Sequence, residues 1–329
     1  MPMLVPPTTG AARNDRLALL TLSALALALI PMGALLAQAP SRPYTLVETG
    51  QSFASLQEAV DAVGVGSGTV RIAAGRWRDC AVQNQGSVAY LAAVPGQTAL
   101  DGGTCEGKAA LVLRGRSARV NGMIFANMRV PDGNGAGIRL EKGDLAVAQS
   151  WFMDSQQGIL TADDPASSIL IEKSTFTRLG TCEGAGGCAH SIYVGGYGAL
   201  TVRRSRFEQG RGGHYVKSRA GRIEITESSF DDSRGRATNY MIDLPAGASG
   251  TIAENWFVQG ADKENYSAFV AVTAEGRTHS SNGLTISRND ARLAPGVSRR
   301  TTFVADWSGD RLVLGENRLG IGLQAFERR

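Results

Sequence analysis

Along most of the chain, hydrophobic and polar residues alternate in short runs broken by Gly, Ser and Asn. In "GRIEITESSF", Ile223 and Ile225 fall on one side and Arg222, Glu224 and Thr226 on the other, the period of a strand with one buried face. This pattern recurs. Phe152 in "SWF", Phe176 in "STF", Phe207 in "SRF", Phe230 in "SSF" and Phe257 in "NWF" are 24, 31, 23 and 27 residues apart. Two positions before each stands Ser150, Ser174, Ser205, Ser228 or Asn255, and degenerate copies follow at Asn289 ("NDA") and Asn317 ("NRL"). A few residues earlier comes an alternating pair such as Leu200 and Val202. Earlier still is a second short strand: "GIRL", "GILT", "SIYV", "HYVK", "YMID", "AFVA", "TFVA". Irregular repeats built of short strands and Gly-rich turns, with almost no helical period, predict a solenoid of stacked coils.

In such a stack each strand bonds to its equivalent one coil away, so like residues form columns, with aliphatic and Phe side chains inside and Ser or Asn at the bends. A β-sandwich also has many short strands but does not repeat one tripeptide at nearly one interval. Leucine-rich and propeller repeats need signatures missing here. Before the repeats, "SFASLQEAVDAV" (52–63) carries Phe53, Leu56, Ala59, Val60 and Val63 at helical spacing and predicts a cap on the open end. The order "SLQEAVDAV…GTVRIAAGRW…LDGG…AALVLRG…VNGMIFAN", followed by the Phe coils, resembles the pectate-lyase-like superfamily of bacterial exported proteins over residues 44–320. That resemblance implies an all-β, right-handed parallel β-helix with a short N-terminal capping helix. The superfamily holds lyases, hydrolases, esterases, epimerases and non-catalytic adhesins, so function must come from the site.

Composition changes the picture little: 329 residues, 43% hydrophobic, exclude disorder and suit one large domain. The N-terminus changes it more. Arg13 and Arg16 precede the apolar run Leu17 to Ala37 and the small-x-small "AQA", a pattern of export. Residues 1–39 are read as a signal peptide or, given the length of the run, an N-terminal membrane anchor, and 40–329 as a single domain with its cap at about 52–63 and coils at about 68–320. The expected location is periplasmic or cell-envelope, with secretion or inner-membrane anchoring as variants. The charge of +4 falls to +3 without Arg13, Arg16 and Asp15, a mild excess with no basic block, which argues against nucleic acid as partner. Outside the cytoplasm cysteines tend to pair, and Cys80 with Cys105 and Cys182 with Cys188 is the natural choice among three pairings. Zinc is the alternative, but neither couple has the short metal-binding spacing.

Candidate chemistry lies beside the long insertions after Phe176, Phe230 and Phe257, since loops on a rigid scaffold carry function. His190, Tyr193, His214, Lys217, Arg219 and Asp243 form the expected catalytic group, with Tyr215, Tyr240 and Arg203 as substrate-binding residues. Aligning coils on Phe sets Lys217 opposite Leu244; aligning "HYVK" with "YMID" sets it opposite Asp243, and a one-residue slip reverses the face. The expected partner is a polysaccharide, anionic in character, and the expected chemistry lyase-like: a base for the C5 proton of a uronate, a cation for its carboxylate, a donor for the leaving oxygen. Lys217 or His214 serves as base, Arg219 as neutraliser, Tyr193 or His190 as acid. A non-catalytic glycan-binding or envelope protein is the alternative. Hydrolysis comes third: Asp163, Asp164, Asp231 and Asp232 are adjacent acids at expected turns rather than a facing pair. No cofactor is called for, and calcium has no motif to hold it.

Overall fold

The computed structural model describes residues 41–329 apart from 184–186. The predicted targeting segment lies outside the described residues. Among them, no helix is long and apolar enough to cross a membrane.

The chain is a parallel β-solenoid whose coils each give one strand to three sheets. In one coil, Val216–Ser218 belongs to the third sheet, Arg222–Thr226 to the first and Ser229–Asp231 to the second. Each pairs in parallel with its equivalent one coil on: Ile242–Leu244, Ser249–Ala253 and Trp256–Gln259. The second and third sheets have ten strands each; the first has twelve, because Tyr44–Leu46 and Ser52–Phe53 add an antiparallel hairpin at its edge. Helix therefore does not begin at 52 as its spacing predicts. It runs Leu56–Val63 behind a capping box, with Ser55 Oγ accepting from Glu58 N–H and the Glu58 carboxylate from Ser55 N–H. Leu56, Ala59 and Val60 are buried in the same core as the coils.

The predicted columns are present. Phe125, Phe152, Phe176, Phe207, Phe230 and Phe257 stack along the core with centroids 4.8 to 4.9 Å apart. That distance is the strand spacing, so backbone pairing rather than ring preference imposes the face-to-face geometry. Ala291 and Leu319 continue the column in smaller form. At the bend, each ladder residue accepts the backbone N–H of the one before: Ser174 Oγ from Ser150 (3.3 Å), Ser205 Oγ from Ser174 (3.2 Å), Ser228 Oγ from Ser205 (3.1 Å). Asn255, Asn289 and Asn317 take over the role at 3.0, 3.0 and 3.1 Å. The polar column thus satisfies backbone donors turned into the core, which would otherwise be buried without partners. Both predicted disulfides are formed, Cys80–Cys105 and Cys182–Cys188.

Candidate functional site

On the outer face of the third sheet one row runs in register through Arg139, Leu160, Tyr193, Lys217, Asp243, Ala271 and Ala305. Their inward neighbours Ile138, Ile159, Ile192, Val216, Ile242 and Val270 are fully buried. Lys217 therefore faces Asp243, and the alignment on strand texts is the right one. The alignment on Phe slips because the corner after Lys217 holds four residues, 218–221, and the next holds five, 244–248. Alternation then carries Tyr193, Lys217 and Asp243 to one face, about 4.8 Å apart.

The histidines enter just before these strands. Gly213, at φ 59°, lies so close to His190 that a Cβ there would sit 2.4 Å from its Nδ1, so glycine is required. His190 Nδ1 accepts the His214 backbone N–H at 3.0 Å and is therefore unprotonated. His214 Nδ1 lies 3.3 Å from the same nitrogen, a contact that is favourable when His214 Nδ1 bears the proton. Its Nε2 lies 3.4 Å from Asp243 Oδ2, so the one proton of the neutral ring serves either the His190 contact or the Asp243 carboxylate. Asp243 is also 3.3 Å from Lys217 Nζ, while its Oδ1 has no hydrogen-bond partner among the described residues.

Electrostatics separate the groups. Burial, then the Lys217 charge, brings His190 down to about 3. Burial, His190 and Lys217 bring His214 well below its ordinary value, so both rings are neutral at neutral pH. Burial pushes Asp243 up to about 6 against the pull of Lys217. Lys217 behaves differently: burial works against its charge, but Asp243 and Glu275 outweigh it and hold it above its usual value. It keeps its proton and is a cation, not a base. Lys217 is shared by two carboxylates, whereas Asp243 lies deeper with one oxygen unpaired, which is why burial wins at one and attraction at the other.

Around this centre, Arg219 Nε donates to Tyr193 Oη at 3.1 Å, Lys217 Nζ stands 5.9 Å above the Tyr193 ring, and the Tyr240 ring is 5.7 Å from that of His214. Tyr193 and Arg219 also line an open cleft of about 500 Å³ that continues along the row past Leu160 to Arg139, Asp163 and Lys108. His190, Tyr193, His214, Lys217, Arg219, Tyr240 and Asp243 are thus brought together.

Two predicted substrate-binding residues are not. Tyr215 precedes the strand in a bend that turns its ring into the core, against Phe207 and Phe230, so no ligand reaches it. Arg203 belongs to the first sheet, where it pairs with Glu172 at 2.6 Å, away from the row. Several contributors were missed. Glu275, on the loop after Ala268–Val272, bridges Lys217 and Arg219. Asp232 is a buried anchor rather than a simple turn residue: it accepts from Tyr215 Oη (2.8 Å) and Thr238 Oγ1 (2.7 Å) and pairs with Lys263 at 3.1 Å. It ties down the loop that delivers Tyr240. Asp164, the first residue of the strand Asp164–Glu172, accepts from Gly143 N–H, and Asp163 accepts from Gly196 N–H, so each ties a bend of a neighbouring coil. His279 is a loop residue whose Nε2 lies 3.2 Å from the Arg219 carbonyl. The one sign of the Glu275 loop in sequence was its polar, Gly-containing length, "TAEGRTHSSNG".

The chain matches no protein-family model and no curated protein. Among solved structures, ORF18 of Geobacillus virus E2 is similar at 13% identity and a TM-score of 0.42, over 83% of this chain and 57% of that one. The tailspike gp49 of Acinetobacter baumannii bacteriophage Fri1, a capsular polysaccharide depolymerase, is similar at 10% identity and a TM-score of 0.41, over 83% and 54%. This chain spans little more than half the length of either. Likeness at that level carries no information about activity.

Proposed function

We propose that the protein is an exported enzyme acting on an anionic polysaccharide by β-elimination at a uronate, with the outer face of the third sheet as its binding groove. The observation that carries this reading is the cationic fork of Lys217 and Arg219, which holds a carboxylate beside Tyr193 and two neutral imidazoles. Neutralising a uronate carboxylate makes its C5 proton removable, and fixed cations in a partly water-excluded site do so without reorganising. Lys217 and Arg219 take this role. His214 is the base: burial, with His190 and Lys217, holds its ring neutral and able to take a proton, and Asp243 stabilises the imidazolium. Tyr193, whose oxygen already accepts from Arg219 Nε, has its own O–H free to donate to the leaving oxygen. The cleft running to Arg139 takes the rest of the chain.

The test is a screen of pectate, alginate, glycosaminoglycans and acidic exopolysaccharides for a product absorbing near ~232 nm, the signature of the double bond left conjugated to the carboxylate. A productive polymer should lose that signal in Lys217→Ala and His214→Ala with the fold intact. New reducing ends without absorbance would replace elimination by hydrolysis. Binding without either product would make this a glycan-binding solenoid.

A further inference from the structure

The fork of Lys217 and Arg219 is already filled. Glu275 reaches it from 58 residues further along the chain, with Oε1 2.5 Å from Lys217 Nζ and Oε2 on Arg219 Nη2. The two partners differ in setting. The Lys217 side chain is 11% exposed and that of Glu275 43%, and Ala274, Gly276, Arg277 and Thr278 around it are all exposed. The loop is tied by Glu275 N–H to the Pro245 carbonyl (3.1 Å), by Thr278 and His279 N–H to that of Ala246 (both 2.9 Å), and by Arg277 to Asp310 (2.8 Å). The cations do not depend on it for position. Lys217 retains Asp243 at 3.3 Å and Arg219 retains Tyr193 at 3.1 Å when Glu275 leaves.

We infer that Glu275 is an internal occupant of the carboxylate subsite: a strap, formed by its side chain on the tied loop 274–278, that closes the Lys217–Arg219 fork at rest and swings aside for a carboxylate of an incoming polyuronate. The inference rests on the function proposed above. Its physical basis is exclusion, since two carboxylates cannot share one two-point cation fork, and a carboxylate arriving there must remove the first. An enzyme that does this discriminates by charge density: a neutral glycan cannot open the strap, whereas a chain with successive uronates offers the fork a replacement at high local concentration.

The experiment uses Glu275→Gln and Glu275→Ala in the full mature chain, with trisaccharides of galacturonate, glucuronate, mannuronate and guluronate titrated calorimetrically. Glu275 is exposed, so both variants should melt with the wild type. At least one trisaccharide should bind both variants about tenfold more tightly than the wild type, as for a fork open about a tenth of the time. Adding Lys217→Met should remove the gain. Equal or weaker binding by the Glu275 variants, with Lys217→Met abolishing wild-type binding, overturns the strap and leaves the proposed function standing. Absence of binding to every form overturns both. A tenfold gain with no unsaturated product from any variant upholds the strap and rejects elimination.

Discussion

Replacing Asp243 with asparagine keeps the shape of a buried side chain and removes its charge. Burial raises this carboxyl from 3.8 to about 6 even with Lys217 beside it. A carboxyl whose folded value exceeds its unfolded one holds its proton more tightly in the native chain. Native stability then falls as pH rises from the unfolded to the folded value, and stays lower above it. About two pKa units at ~1.36 kcal/mol each give a penalty of about 3 kcal/mol once Asp243 is ionised. Asparagine carries no such penalty, while Lys217 keeps Glu275 at 2.5 Å. The stability of Asp243→Asn relative to wild type should therefore climb by about 3 kcal/mol between about pH 4 and pH 7 and level off above. Urea unfolding of both proteins across that range measures the difference directly. A difference that is flat with pH, or that falls as pH rises, would refute the reasoning: Asp243 would then be an ordinary carboxylate held ionised by Lys217, with no proton to share with His214 Nε2.

Two further outcomes follow from packing. Asp232 and Lys263 have fully buried side chains 3.1 Å apart, so Lys263→Met strands a buried carboxylate and should cost about 3–5 kcal/mol in denaturant unfolding, with Asp232→Asn added in the double variant recovering much of it. Phe207 sits mid-column, 4.9 Å from Phe176 and 4.8 Å from Phe230. Phe207→Ala should cost about 3–5 kcal/mol by the same measurement, since a cavity between stacked coils cannot close without breaking strand register.

Stacking explains what was legible in the sequence. When each coil lies on the last, every column is a periodic signal, so Phe152 through Phe257, the Ser and Asn ladder, the inward aliphatic pairs and the solenoid itself can be read from spacing alone. The cysteine couples were legible for a related reason, being close in sequence and isolated from each other. Most of the charged centre was legible too, because His190 and His214, and Lys217 and Asp243, occupy matching phases of successive coils. The face that Tyr215 presents was not: its segment alternates like a strand, but the strand starts at Val216, and the bend before it turns the ring inward. Arg203 carries the charge of a groove residue but lies on another sheet, which only the path round the coil assigns. The register at Lys217 turned on one extra corner residue in 244–248, invisible to a count from Phe. Glu275 lies furthest from any pattern, since it meets Lys217 across 58 residues through a loop of its own length. Periodicity encodes what each coil repeats, because parallel pairing forces equivalent residues into register. Corners and loops repeat nothing, and where their side chains meet is decided by packing between coils.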